Sequence, residues 1–250
     1  MKAIILAAGQ NSRILNIAGA LPKTLLKIGR YELIKIILNN LAVIKNIKEV
    51  IIVVGYKKQL IKKSIGYSYK NLKIQYISND KYKSTNSMYS LWLTKKAIKN
   101  EILIINGDTI FSNNFLKEFI KINFNSLIYL DGNTKRLSKE SLKVFVNDRL
   151  HAKRVGKNVK KSNKTYGSPA IYIFKGLDLK NFFKIIEIKF IFKNKYNYLV
   201  SKAVDRFAKK YQLNAFFSKK NNFWIEIDNS SDYMMAKKLF DDSENEKIFK

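Results

Sequence analysis

Short runs of apolar residues alternate with amphipathic segments through the first half of the chain. The apolar runs predict strands at Lys2–Leu6, Val50–Val54, Leu72–Ile77, Ile102–Ile105 and Ser126–Leu130. Between these runs, apolar residues recur three or four positions apart and predict helices at Glu32–Ile44, Lys57–Ile65, Ser87–Ile98 and Phe115–Ile122. This alternation predicts an α/β fold with a doubly wound, mostly parallel, Rossmann-like sheet, whose ligands bind at the carboxyl ends of its strands.

The second half of the chain has a different pattern, with more closely spaced apolar runs. It predicts strands at Leu142–Val146, His151–Val155, Tyr166–Phe174 and Trp224–Ile227, and helices near Leu179–Ile188, Tyr198–Tyr211 and Ser231–Phe240. The first three strands indicate a small antiparallel insertion. No linker rich in Pro, Gly or Ser interrupts the chain, so we expect one domain over residues 1–250, with halves at 1–131 and 132–240 and a tail at 241–250.

Polar stretches at Gly132–Ser141 and Lys157–Lys164 predict loops, and we interpret the lysines of the second loop as solvated. The whole chain carries 48 Lys and Arg residues against 19 Asp and Glu residues, a formal net charge of +29. Nucleic-acid-binding proteins tend to concentrate Arg in one patch, whereas this excess is Lys spread over almost every segment. Specific nucleic-acid binding is therefore disfavoured, although such a surface attracts polyanions such as triphosphates.

Cysteine is absent and His151 is the single histidine of the chain. This composition excludes disulfides, cysteine nucleophiles and zinc sites built from Cys and His. A bound metal must then have oxygen ligands, which favours Mg²⁺ or Mn²⁺. No apolar run reaches membrane length and no signal-like segment precedes the first strand, so we expect no membrane insertion and a soluble, cytoplasmic protein.

Small residues follow the first strand directly, in the sequence Leu6-Ala7-Ala8-Gly9. Small residues let backbone N–H groups approach a ligand closely, and such a loop can bind phosphates. Further along, Pro22 precedes Lys23 in a chain with two prolines. Because proline fixes its own φ, it presents the neighbouring lysine in a defined place.

These two segments, Leu6-Ala7-Ala8-Gly9-x-x-Ser12-Arg13 and Pro22-Lys23-Thr24-Leu25-Leu26-Lys27-Ile28-Gly29, together resemble the signature of the sugar-phosphate nucleotidylyltransferase superfamily. The resemblance implies a GT-A-like fold whose residues 1–131 bind the nucleotide and whose residues 132–240 bind the acceptor. It implies that the base and triphosphate lie against Leu6, Ala7, Ala8, Gly9, Gln10, Asn11 and Ser12. It also implies two catalytic residues, Arg13 on the leaving pyrophosphate and Lys23 on the reacting phosphates. Asn11 stands where the family usually has glycine.

Two further strands end in carboxylates, at Asn106-Gly107-Asp108 and at Glu226-Ile227-Asp228. Alternate residues of a strand point the same way, so Glu226 and Asp228 share a face. Taken alone, Asp108 has an alternative role as the cap of the following turn, and Asp228 has one as the N-cap of the next helix. The resemblance implies that Asp108 and Asp228 bind Mg²⁺.

The segment from Ser78 to Trp92 bears on the substrates, because hexose-1-phosphate members of the superfamily usually carry a Gln and a Leu-Gly-Thr-Ala-type segment there, which this chain lacks. The segment looks like the phosphocholine cytidylyltransferase branch, whose relatives activate aminoethylphosphonate and similar compounds. This likeness implies CTP as the nucleotide, an acceptor such as phosphocholine, aminoethylphosphonate or phosphoglutamine, and a role in cell-surface polysaccharide or lipid head-group biosynthesis. Further nucleotide contacts are expected at Asn79, Asn86, Ser87 and Gly107. Candidate acceptor contacts, which need an aromatic face or a carboxylate for an ammonium group, are Asp131, Tyr166, Trp224 and Glu226.

Other functions remain open from the sequence. A hexose-1-phosphate nucleotidyltransferase that uses UTP or another triphosphate is the nearest alternative enzyme, and a non-catalytic nucleotide-binding relative is compatible with Asn11. A glycosyltransferase is disfavoured because the chain lacks an Asp-x-Asp triplet. The chain could also form a homodimer.

Overall fold

The computed structural model describes residues 1–10, 14, 17, 19, 21–112, 115–132, 137–217 and 223–241. The strands, in chain order, are β1 Lys2–Ala7, β2 Lys27–Ile28, β3 Tyr31–Glu32, β4 Glu49–Val54, β5 Ser68–Tyr69, β6 Leu72–Ser78, β7 Glu101–Asn106, β8 Thr109–Phe111, β9 Ser126–Leu130, β10 Lys143–Val146, β11 Ala152–Gly156, β12 Thr165–Gly167, β13 Tyr172–Lys175, β14 Asn214–Phe217 and β15 Trp224–Glu226. The α-helices are α1 Leu33–Ala42, α2 Lys58–Ile65, α3 Ser87–Leu93, α4 Phe115–Lys121, α5 Gly176–Lys189, α6 Val200–Lys210 and α7 Ser230–Asp241.

Eight strands form one large mixed sheet in the order β14-β9-β13-β7-β1-β4-β6-β5. The four strands β7, β1, β4 and β6 are mutually parallel, and β14 runs parallel to β9. Strand β13 is antiparallel to both of its neighbours, and β5 is antiparallel to β6. The prediction of a mostly parallel α/β sheet is therefore confirmed, with one reversed strand inside it.

Apolar clusters cover both faces of the large sheet, because successive residues of a strand point to opposite faces. In β1, Ala3 and Ile5 join the cluster that contains α1 and α4, whereas Ile4 joins the cluster that contains α5 and α6. Ala3, Ile4 and Ile5 are fully buried. Burial on both faces explains why this strand is a continuous apolar run in the sequence.

The antiparallel insertion predicted for the second half is a three-stranded sheet in the order β11-β10-β12. The single strand predicted over Tyr166–Phe174 is wrong, because the chain changes sheet there: β12 belongs to the insertion and β13 to the large sheet. Between them, Ser168 N–H donates to the Leu142 carbonyl (3.0 Å), and Ala170 has a left-handed φ of 55°. The helix predicted to reach Ile98 is also shorter, since α3 ends at Leu93.

Sequence patterning did not predict the short strands β2, β3, β5, β8 and β14. Strand β8 pairs with β15 in a two-stranded sheet of its own, and this pair proves central to the candidate site. None of the helices in the described ranges is both long and apolar enough to span a bilayer.

Replacement of Phe115 tests the packing of the apolar core on the α4 side of the large sheet. Its ring stacks on Tyr129 with centroids 3.9 Å apart, and the side chain is fully buried. We expect Phe115→Ala to lower the free energy of unfolding by about 3–5 kcal/mol in urea denaturation, because the change leaves a cavity in a packed core. Phe192→Ala is the matched control: this ring is 73% exposed, so we expect a change within about 0.5 kcal/mol. Equal losses in the two variants would contradict the packing described.

Candidate active site

A cleft of about 400 Å³ opens where β1, β6 and β7 of the large sheet end. Its volume lies within the range usual for small-molecule sites, about 300–1,000 Å³. The predicted site residues that line it are Leu6, Ala7, Ala8, Gly9, Gln10, Lys23, Asn79, Asn86, Ser87, Gly107, Asp108, Glu226 and Asp228. Asn11, Ser12 and Arg13 lie outside the described residues.

Two glycines, Gly107 and Gly55, allow the loop after β1 to lie close to the neighbouring strands. Gly107 N–H donates to the Leu6 carbonyl at 2.9 Å, and a Cβ at Gly107 would stand 2.8 Å from that oxygen. On the other side, a Cβ at Gly55 would stand 2.7 Å from the Ala8 carbonyl, which accepts from Tyr56 N–H at 3.2 Å. Any side chain at either position would push the loop away from the strands beside it. Sequence reasoning missed Gly55, whose role depends on which strand lies next to β1.

Three carboxylates meet at the floor of the cleft. Pairing of β8 with β15 sets Thr109 opposite Glu226, and Ile227 N–H donates to the Asp108 carbonyl at 2.9 Å. This backbone connection brings carboxylate oxygens of Asp108, Glu226 and Asp228 within 4.8 Å of one another. Residues far apart in the sequence therefore form one acidic cluster.

Lys23 supplies positive charge to this cluster. Its Nζ lies 2.7 Å from Asp108 Oδ2 and 3.4 Å from Asp228 Oδ1. Burial alone would lower the pKa of Lys23, but the charge and hydrogen bond of Asp108, aided by Asp228, outweigh burial and raise the pKa above its ordinary value. Lys23 therefore stays protonated in the cleft. It follows Pro22, whose backbone is extended (φ −58°, ψ 138°) and whose carbonyl accepts from Leu25 N–H at 2.9 Å.

One ammonium group does not balance three carboxylates. Burial, followed by the charges of Asp108 and Asp228, raises the pKa of Glu226 to about 8. In addition, Asp108 Oδ1 is buried and has no hydrogen-bond partner among the described residues. Crowded carboxylates with an unpartnered oxygen are the donor set that a hard divalent cation requires, so the residues fit Mg²⁺. Asp108 and Asp228 would hold it, as the family resemblance implies, with Glu226 beside them.

Three of the predicted nucleotide contacts hydrogen-bond to the protein itself. The Asn79 amide donates to Thr85 Oγ1 and Ser90 Oγ, both at 2.9 Å, which shapes the loop between β6 and α3. Asn86 caps α3 by accepting from Ser87 N–H at 2.8 Å. Ser87 Oγ accepts from Val200 N–H at 3.1 Å, which ties the start of α3 to the start of α6. These side chains line the cleft, and their hydrogen bonds fix its wall.

Three of the four acceptor candidates, Asp131, Tyr166 and Trp224, lie outside the lining of this cleft. Trp224 Nε1–H donates to Asp131 Oδ2 at 3.1 Å, so these two side chains bind each other. Tyr166 packs edge-on against Phe217 with ring centroids 4.7 Å apart. Among the four, Glu226 lines the cleft.

Several cleft residues were not among the predicted site residues. Lys157 lies in the turn after β11, and its Nζ is 2.8 Å from Glu140 Oε2; both side chains line the cleft. Lys157 belongs to the loop interpreted above as solvated, and a run of similar lysines gives no signal that singles it out. Tyr172, which is fully buried at the start of β13, also lines the cleft. Its hydroxyl has no hydrogen-bond partner within the described ranges.

Comparison with known proteins identifies relatives of this chain. A family model described as nucleotidyl transferase matches residues 2–243. The choline-phosphate cytidylyltransferase of Streptococcus pneumoniae is 32% identical over 127 residues, which cover 51% of this chain and 53% of that protein. The CMP-5'-(3-aminopropyl)phosphonate synthase of Streptomyces rubellomurinus is 28% identical over 111 residues, which cover 44% of this chain and 18% of that protein. The similarity thus spans about half of the first relative and less than a fifth of the second.

One solved structure shares the fold over nearly its whole length. The crystal structure of a putative glucose-1-phosphate thymidylyltransferase from Bacillus anthracis superposes with a TM-score of 0.80. The alignment covers 97% of this chain and 96% of that chain at 20% sequence identity. At this identity the likeness establishes the fold.

The acidic cluster predicts that Mg²⁺ stabilises the folded protein against unfolding. We expect Mg²⁺ at a hundred times its Kd to stabilise the protein by about 2.7 kcal/mol, seen as a rise in Tm at constant ionic strength, because the cation binds the folded state. Asp108→Asn should remove most of this rise. Asp80→Asn is the matched control, since Asp80 pairs with Lys58 (2.7 Å) on an exposed loop. Equal rises in the two variants would show that Mg²⁺ binds elsewhere.

Proposed function

Because the chain belongs to the nucleotidyl transferase family, we propose that it is a Mg²⁺-dependent nucleotidyltransferase that transfers CMP from CTP to a small phosphorylated or phosphonate acceptor and releases pyrophosphate. The observation that carries this proposal is the position of Lys23, 2.7 Å from Asp108, inside a cleft that the loop after β1 also lines. A cation site and a lysine beside a loop of small residues suit a triphosphate substrate.

The proposed reaction is an in-line substitution at phosphorus. An anionic oxygen of the acceptor phosphate forms a bond to the α-phosphorus of the triphosphate, and the bond from that phosphorus to the bridging oxygen breaks. The electron pair leaves with pyrophosphate. The acceptor oxygen is already ionised at neutral pH, so the chain needs neither a general base nor a covalent intermediate. Catalysis then rests on placing two anions together and stabilising their charge.

Each group in the cleft has a part in this scheme. Mg²⁺, when bound, acts as a template and Lewis acid for the phosphate oxygens. Lys23 stabilises the charge that develops on the transferring phosphoryl group. Gly9 and its neighbours offer backbone N–H groups to the nucleotide; among the described residues, no atom lies within 4 Å of where a Cβ at Gly9 would stand, which leaves room for a ligand. Arg13, which the family resemblance assigns to the leaving pyrophosphate, remains part of the proposal.

The residues on the proposed acceptor side of the cleft suit a substrate that has both an anionic and a cationic end. Lys157 offers an ammonium group to the acceptor phosphate. Glu140 and Glu226 offer carboxylates to an amino or quaternary ammonium group, and the Tyr172 ring adds an aromatic face. Phosphocholine and aminoalkylphosphonates have this chemistry, and the two relatives named above are a choline-phosphate and an aminopropylphosphonate enzyme.

A hexose-1-phosphate acceptor is the second candidate. The fold is shared with a putative glucose-1-phosphate thymidylyltransferase, and a hexose 1-phosphate presents the same nucleophilic phosphate to the triphosphate. The hydroxyl groups of a sugar could accept or donate hydrogen bonds at the same carboxylates and at the Tyr172 hydroxyl.

Pyrophosphate release tests the proposal directly. With Mg²⁺ and CTP, we expect turnover with phosphocholine, aminoethylphosphonate or phosphoglutamine, and little with glucose-1-phosphate. The same panel should be measured with UTP and dTTP. Turnover confined to glucose-1-phosphate would establish the second candidate. Nucleotide binding without turnover on any acceptor would contradict both and indicate a non-catalytic relative.

Replacement of Lys23 tests the mechanism. We expect Lys23→Ala to lower kcat about 10²-fold or more, because it removes a charge that stabilises the transition state. Lys58→Ala is the matched control, since Lys58 also forms an ion pair with an aspartate, Asp80, but lies outside the cleft. Circular dichroism should show both variants folded. Near-normal turnover of Lys23→Ala would remove Lys23 from the mechanism.

A further inference from the structure

A buried lysine connects the two loops that form the acceptor side of the cleft. Lys143 is the first residue of β10, the central strand of the small sheet, and it is 4% exposed. Its Nζ donates to three backbone carbonyls: Lys157 at 2.6 Å, Lys139 at 3.1 Å and Ser141 at 3.3 Å. A lysine ammonium has three N–H donors, so these bonds satisfy it completely.

The three carbonyls belong to two separate segments. Lys139 and Ser141 lie in the segment 137–142 that leads into β10, whereas Lys157 lies in the turn that follows β11. The first segment carries Glu140 and Leu142 to the cleft, and the second carries the Lys157 side chain. We define these two segments, 137–142 and 156–161, as the rim. Lys143 is therefore bonded to the backbone on both sides of the rim.

Other contacts across the rim are weaker or more exposed. The Glu140–Lys157 ion pair joins side chains that are 74% and 39% exposed, and exposed pairs contribute little because water screens them. Lys161 Nζ donates to the Leu137 carbonyl at 2.7 Å, also at an exposed position. By contrast, Lys143 is itself buried, and hydrogen bonds from a charged ammonium are stronger than hydrogen bonds between neutral groups.

We propose that Lys143 is a positioning residue for the acceptor: its three bonds to the rim backbone hold Glu140 and Lys157 at the cleft, so that Lys143 sets acceptor affinity without touching a substrate. This inference rests on the function proposed above. The geometry carries this inference. Burying the Lys143 ammonium costs free energy, and its hydrogen bonds to the two segments of the rim offset that cost.

Lys143→Met separates this role from a general effect on folding, because methionine keeps the apolar stem and removes the ammonium. We expect the KM for the acceptor to rise about tenfold, the effect of losing hydrogen bonds to a charged group, and the KM for CTP to stay within about twofold of the wild type. Hydrogen exchange should become faster at the rim amides. Lys153→Met is the matched control, since Lys153 is an exposed lysine of the neighbouring strand β11.

Chemical rescue gives a second readout, because the natural chain contains no cysteine. Lys143→Cys can be alkylated while unfolded and then refolded. Treatment with 2-bromoethylamine recreates a lysine-like ammonium and should restore the acceptor KM. Treatment with iodoacetamide leaves a neutral side chain and should not restore it. Wild-type protein taken through the same steps controls for refolding.

The outcomes are distinguishable. An unchanged acceptor KM in Lys143→Met, an equal rise in both KM values, or equal rescue by the two reagents would overturn the positioning role. If the wild type turns over no acceptor, the proposed function fails, and hydrogen exchange alone decides whether Lys143 holds the rim. Faster exchange in Lys143→Met than in Lys153→Met would then uphold that structural part, and equal exchange would overturn it.

Discussion

The hydrogen bond from the Gly107 amide to the Leu6 carbonyl is the contact on which the cleft depends. It extends the pairing of β7 with β1 beyond the last paired residues of the ladder, Leu6 and Asn106. The absence of a side chain at Gly107 permits this approach, since a Cβ would meet Leu6 O at 2.8 Å. The loop that follows β1 and the carboxylate that follows β7 consequently lie side by side. Both functional segments are thus positioned by the backbone of the sheet.

The acidic cluster illustrates a conflict between stability and function. Asp108 and Asp228 share Lys23 at the floor of the cleft, and burial together with their charges raises the pKa of Glu226 to about 8, so ionising all three carboxylates costs free energy. Such an arrangement lowers the stability of the folded chain in the absence of a cation. The surrounding fold offsets this loss, because the apolar residues of the central strands are buried on both faces of the sheet. Local conflicts of this kind are expected at sites that bind ligands.

The sequence predicted those parts of the fold that depend on local pattern. Continuous apolar runs identified the parallel strands, and the carboxylates Asp108 and Asp228 stood out because each follows such a run. The pairing of β8 with β15 could not be predicted, because β8 has too few residues to show periodicity and its partner is distant in the chain. Lys143 and Lys157 could not be singled out either, because the chain has many lysines and the sequence does not show which turns pack beside these two. The sequence also does not reveal that Asp131 and Trp224, two of the acceptor candidates, bond to each other.

Charge acts on two length scales in this protein. In the proposed reaction both substrates are anions, so their mutual repulsion is a large part of the barrier. A net charge of +29 draws both substrates toward the chain at long range. A uniformly basic cleft, however, would bind a triphosphate without binding a divalent cation. Asp108, Glu226 and Asp228 place acidic groups where the proposed Mg²⁺ would bind, and Lys23 and Lys157 keep cationic groups in the same cleft. Cationic and anionic groups must therefore alternate over a few ångströms, and only a rigid backbone can hold them in that order.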